Sequence, residues 1–133
     1  MSVYIDTSAF YAIVDTSDLN HHAAASVWQG LLDRDEALFT SSYVVTETIA
    51  LLHNRLGTAV VRRFVEEALP AVQIRWIDQA THDTALTAML AVPGKRGPSL
   101  TDCANLVDLR QLKVQNLFAY DQHFADLGIG VLG

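Results

Sequence analysis

Cysteine is almost absent: Cys103 is the only one in 133 residues, which excludes an intrachain disulfide framework and a zinc site built on cysteines. Such sparing use suits a reducing compartment. Proline is scarce as well, and two of the three bracket one segment, Pro93-Gly-Lys-Arg-Gly-Pro98. That segment is the one strongly loop-like stretch of the chain. No run approaches the roughly 20 apolar residues that a membrane span requires. Asp6 and Asp15 interrupt the N-terminus before a long apolar signal region could form. These absences predict a soluble, cytoplasmic protein that makes no use of a membrane. Cations are few, nine Lys and Arg against fifteen Asp and Glu, for a formal net charge of -6. Taken alone, that speaks against a general nucleic-acid binder, which is usually basic. The argument fails if several acids share one pocket neutralised by divalent cations, because a local basic rim can still hold phosphates.

What is present is hydrophobic. Half the residues are apolar and the mean hydropathy is +0.20, rich for a monomer of this size, so a partner is expected to cover part of the surface. The length fits a single domain, residues 1–133. Ser2 to Ile5 reads as a short buried strand and Ser8 to Val14 as a helix. His22 to Leu32 has helical periodicity, with an apolar stripe of Ala25, Val27, Trp28, Leu31 and Leu32. Ala37 to Thr40 is a strand, and Ser41-Ser42 caps a helix that Gly57 stops near Leu56. Thr58 caps the next helix, to Leu69. Val72 to Ile77 alternates and is β-branched, hence a strand, and Gln79 to Leu90 is helical. Helix resumes from Ser99 to about Leu112. Asn116 to Ala119 is a strand, Asp121 to Ala125 a short helical turn, and Gly130 to Leu132 a last strand. Short strands alternating with helices predict a three-layer α/β/α domain around a mainly parallel sheet.

Four acids, Asp6, Glu47, Asp102 and Asp121, stand where elements begin or pack. Three have an ordinary explanation. Asp6 and Asp121 can cap the helices that follow them, and Asp102 completes the capping-box pattern Ser99-Leu-Thr-Asp102. Glu47 is different. At 100° per residue it lies about 60° from Val44 and 40° from Leu51, beside a buried stripe completed by Thr48, Leu52 and Arg55. A partly desolvated glutamate needs a partner, and a metal or another buried cation suits it better than Arg55, two turns away. Asp6 and Asp121 both follow strands, so a parallel sheet puts them at one edge. Carboxylates gathered there repel, and a hard divalent ion such as Mg²⁺ or Mn²⁺ relieves the repulsion.

The motifs in this order resemble those of PIN-domain ribonucleases, and more narrowly of VapC-type toxins, over essentially the whole chain. Val3-Tyr-Ile-Asp6-Thr-Ser resembles the first acidic motif of the family. Thr40-Ser-Ser-Tyr-Val-Val-Thr-Glu47-Thr resembles the second, with the Arg55-Leu-Gly57 ending that relatives share. Ser99-Leu-Thr-Asp102-Cys is similar to the third, and Ala119-Tyr-Asp121-Gln-His-Phe124 with Gly128 to the fourth. Ala119 departs from the Thr or Ser that many relatives carry there. His22-Ala-Ala-Ala25 fits a recurring helix start.

The resemblance implies a metal-dependent endoribonuclease, the toxin of a toxin–antitoxin pair. Asp6 and Asp102 are implied as direct metal ligands, with Glu47 and Asp121 completing the cage, directly or through water, around Mg²⁺ or Mn²⁺. It implies hydrolysis to 5′-phosphate and 3′-hydroxyl ends, a small VapB-like antitoxin partner and a homodimer. Lys95 and Arg96, in the loop ahead of Asp102, are candidates for gripping substrate phosphates. Ser8 or Thr7 could orient a ligand, although capping is their ordinary role. His123, close to Asp121, has an ordinary packing or surface role. The rival readings are a PIN-like RNA-processing nuclease without an antitoxin, and a non-catalytic module whose acids recognise a cationic segment. A haloacid-dehalogenase-like phosphatase is disfavoured, because that chemistry wants Asp-x-Asp after the first strand and Ser8 stands there.

Overall fold

A computed structural model describes residues 1–120 and 130–133. Its strands are β1 (Ser2–Ile5), β2 (Ala37–Ser41), β3 (Gln73–Arg75), β4 (Asn116–Phe118) and β5 (Gly130–Leu132). Its α-helices are α1 (Thr7–Val14), α2 (His21–Asp33), α3 (Ser42–Leu56), α4 (Thr58–Arg63), α5 (Gln79–Leu90) and α6 (Leu100–Gln111). The strands form one sheet in the order β3-β2-β1-β4-β5, and every pairing is parallel. The three-layer α/β/α reading is therefore correct.

Strand alternation sorts the core onto the two faces of the sheet. Val3, Ile5, Leu38 and Phe118 face one way and pack with Phe10, Leu31, Val44, Leu52 and Phe64 of the first helices. Tyr4 and Leu117 face the other way and meet Leu109 of α6 and Val114 in the turn after it. A smaller apolar cluster of Ala85, Cys103 and Ala104 joins α5 to α6. On α2 the fully buried positions are Ala24 and Leu31, while Leu32, assigned to the stripe, is exposed.

Four local expectations need correction. β3 covers only Gln73–Arg75, because this edge strand has only the last three residues of β2 to pair with; Trp76, expected inside it, is 79% exposed. Thr58 does not cap α4: the cap position is Gly57, and no side chain bonds there. The predicted helix to Leu69 changes character on the way, becoming π-helical over Phe64–Ala68 and 3-10 over Leu69–Ala71, where Pro70 removes a backbone donor. Arg55, placed in the buried stripe of α3, is exposed. The stop at Gly57 stands, with φ at +93° and ψ at 176°, a conformation that essentially only glycine adopts.

The chain runs from β1 to β2 on one side and comes back to β4 on the other, so the strand order reverses beside β1. In open α/β sheets ligands bind outside the carboxyl ends of the strands at such a reversal. Asp6 occupies that place, and its backbone N–H donates to the Phe118 carbonyl of β4 at 3.0 Å.

Candidate active site

A cleft of about 440 Å³ opens at this switch point. Asp6, Glu47 and Asp102 all line it, so the fold brings together three of the four predicted acids. The fourth, Asp121, lies outside the described residues, as do His123, Gly128 and the short helical turn predicted after Asp121. Tyr120, the last described residue before them, lines the cleft.

Asp6 is 3% exposed and caps α1, accepting from the Ser8 backbone N–H at 3.2 Å. Capping is only part of its environment. The Ser8 hydroxyl donates to the same carboxylate oxygen at 2.8 Å and accepts from the Tyr120 N–H at 2.9 Å. Ser8 thus clamps Asp6 to the chain leaving β4, a positioning role beyond helix capping. The other carboxylate oxygen, Oδ1, accepts from Asn105 Nδ2 at 3.4 Å. Asn105 is in turn held by Ser41, whose hydroxyl donates to its side-chain carbonyl at 2.7 Å while capping α3 at the Val44 N–H. One hydroxyl therefore starts a helix and orients an amide that orients a carboxylate.

Asp102 makes the predicted capping box on α6, accepting from the Ser99 N–H at 2.9 Å while its own N–H donates to Ser99 Oγ at 3.1 Å. Capping and site-building are compatible here, because the helix starts at the cleft. Burial pushes the Asp6 carboxyl up to about 6, the negative charge of Asp102 adds to the rise, and the Ser8 hydrogen bonds oppose it. Two acids sharing one partly desolvated pocket carry the electrostatic signature of a cation site.

Glu47 differs from its expected environment: it is exposed. Val44, Thr48 and Leu52 are buried, but Glu47 and Leu51 turn toward the open cleft, so water reaches the glutamate. Its place on the lining stands, while the desolvation that singled it out does not.

Lys95 and Arg96 are exposed and absent from the cleft lining. Lys95 borders a separate hollow of about 280 Å³, which shares Gly97 with the cleft. Among the described residues the cation that does line the cleft is Arg55, the residue before the last of α3. Sequence reasoning missed it by assigning it to the buried stripe. Asn105 was missed too, although its spacing from Asp102 on α6 puts both on one helix face and was a usable signal.

The donor set suits a hard divalent cation. It is all oxygen, and Mg²⁺ is commonly held by one or two carboxylates with water filling the remaining positions. Two residues of the lining, Thr7 and Tyr120, also carry buried hydroxyls that have no hydrogen-bond partner among the described residues. Within those residues no group of three or more acid, histidine or cysteine side chains is close enough to cage a metal alone. Asp6 and Asp102 are thus the pair that could hold one.

A carboxylate-lined cleft at the switch point of a parallel α/β sheet defines a ligand-binding class of α/β protein. The chain belongs to the PIN domain family, whose model matches residues 3–129. It is 25% identical over 131 residues to the 23S rRNA-specific endonuclease VapC20 of Mycobacterium tuberculosis, covering 95% of this chain and 94% of that protein. The crystal structure of VapC20, described as a sarcin–ricin loop cleaving toxin, superposes with a TM-score of 0.80 at 22% identity over 96% of this chain and 95% of that one. FitAcB from Neisseria gonorrhoeae shares the fold at a TM-score of 0.70 and 13% identity, covering 98% and 96%. PIN nucleases generally depend on divalent metal ions.

Proposed function

We propose that this chain is a VapC-like endoribonuclease, working as one PIN domain, that hydrolyses RNA phosphodiesters with Mg²⁺ or Mn²⁺. The observation that carries the reading is the pairing of buried Asp6 with Asp102 in the switch-point cleft of a PIN fold. Asp6 and Asp102 would hold the ion. Glu47, on the solvated wall, would complete the site, and Asp121 would take the fourth place on the strength of its family motif. The chemistry that a divalent cation supplies there is activation of water at neutral pH and neutralisation of charge on the phosphate. The chain's own residues set the geometry. Ser8 and Asn105 fix the two oxygens of Asp6, and the Ser99 capping box fixes Asp102. With water as the nucleophile, the P–O3′ bond breaks, leaving 5′-phosphate and 3′-hydroxyl ends.

The VapC20 likeness supports a toxin role, a small antitoxin partner and a cytoplasmic site of action. No helix among the described residues is long and apolar enough to cross a membrane. Exposed Trp76, Leu90 and Val92 offer apolar surface for an antitoxin or a second copy of the chain. The likeness also makes an RNA carrying the sarcin–ricin loop the first substrate to offer. Purified protein given that RNA and an unstructured RNA should cut at least one of them, leaving 5′-phosphate ends. Cyclic-phosphate ends would instead mean that the 2′-hydroxyl attacked, and would overturn the hydrolytic reading.

A further inference from the structure

We propose that Arg55 is a substrate-binding residue that grips an RNA phosphate flanking the scissile one. The inference rests on the ribonuclease reading and adds the residue that holds the polyanion in an acidic cleft.

Asp6, Asp18, Glu47 and Asp102 all line the cleft with Arg55, yet among the described residues Arg55 forms no ion pair with any of them. Its guanidinium carbon sits instead 5.2 Å from the centre of the Tyr11 ring. That ring is fixed in turn, because the Tyr11 hydroxyl donates to Asp15 Oδ2 at 2.7 Å. The guanidinium also interacts with the Tyr11 hydroxyl, and its charge is felt at Asp15, so one side of the fork is engaged there. A guanidinium held over an aromatic face in this way keeps its charge, and its remaining N–H donors can turn to the cleft. It is also pre-organised, so less side-chain freedom is lost when it grips a phosphate. The other cations lack this combination. Arg63 pairs with Glu67 and Arg75 with Asp108, while Lys95 and Arg96 stand outside the cleft.

Position argues for a flanking phosphate. Arg55 and Glu47 are eight residues apart on α3, which is about 12 Å along the helix axis. On the cleft wall Arg55 thus stands about two helical turns beyond Glu47, which suits a phosphate next to the one cut beside Asp6 and Asp102. Such a contact is the same in the ground and transition states, so it acts on KM rather than kcat.

The test measures the affinity of cleavage-inactive Asp6→Asn protein for a single-stranded RNA across a salt series, with Arg55 intact, Arg55→Ala or Arg55→Lys. Removing the charge should weaken binding about tenfold and reduce the salt slope by about 0.7, one phosphate contact on a single strand. Arg55→Lys should keep the slope and lose part of the affinity, since it keeps charge but not the fork. In the otherwise wild-type enzyme Arg55→Ala should raise KM and leave kcat unchanged. An unchanged salt slope in Arg55→Ala, or a lysine variant as impaired in slope as the alanine one, would overturn the assignment. Absence of cleavage by the wild type is a separate result, and would remove the ribonuclease reading itself.

Discussion

Asp6 caps α1, and at the same time it is held in a site that disfavours its charge. Its carboxyl rises from 3.8 to about 6, so the folded state binds the proton more tightly than the unfolded chain. That stabilisation is complete below about pH 4 and is lost as pH rises through 6. Across the window it amounts to about 3 kcal/mol for the metal-free protein. Asp6→Asn should therefore remove this pH dependence, so that between about pH 4 and 7 the metal-free variant loses less stability than the wild type by up to that amount, which denaturant unfolding in EDTA can measure. A variant whose stability falls with pH as steeply as that of the wild type would show that the carboxylate is not strained. Ser8 supports the charged form, so Ser8→Ala should move the acidic limb of the pH–rate profile to higher pH. It also orphans the Tyr120 N–H, at about 1–3 kcal/mol of stability.

Elements carry the site through their ends. α1 and α6 begin at the cleft, capped by Asp6 and Ser99, while α3 lines it with its middle and last turn, and the Ser41 cap of α3 reaches Asp6 through Asn105. Asn105 links two of these starts to the third, so Asn105→Ala should weaken divalent-ion binding about tenfold or more, as loss of an outer-shell partner does. Calorimetric titration with Mn²⁺ would detect it. Gly57→Ala should destabilise by about 1–3 kcal/mol through backbone conformation alone, since nothing lies within 4 Å of an added Cβ. Activity per folded molecule should be kept, as measured on samples normalised by thermal melt. These caps could be read in the sequence because capping is local chemistry: Ser99 with Asp102, and Gly57 as the stop of α3, need only their near neighbours. Other features depend on distant residues. The exposure of Glu47 and Arg55 follows from a hollow between α3 and the start of α6, which helical periodicity on α3 cannot reveal. The π turn at Phe64 and the shortness of β3 likewise depend on partners elsewhere in the chain.

At the scale of the whole molecule, the sheet order decides the function. Placing β1 between β2 and β4 turns the sequence's first acid into the floor of a cleft, and returning the chain through α6 brings Asp102 to it. Sequence could order the acids but not distribute them around the cleft, because strand order is a long-range property. The same topology leaves a net charge of -6 compatible with RNA binding, provided that cations meet the acids at the cleft. The most direct test is the rate of RNA cleavage against Mg²⁺ or Mn²⁺ concentration for the wild type and for Asp102→Asn. The wild type should be silent in EDTA and recover when the ion is restored, and Asp102→Asn should stay reduced by more than the roughly 100-fold that loss of an outer-shell partner brings. Full cleavage in EDTA, or by Asp102→Asn at the wild-type rate, would contradict the account.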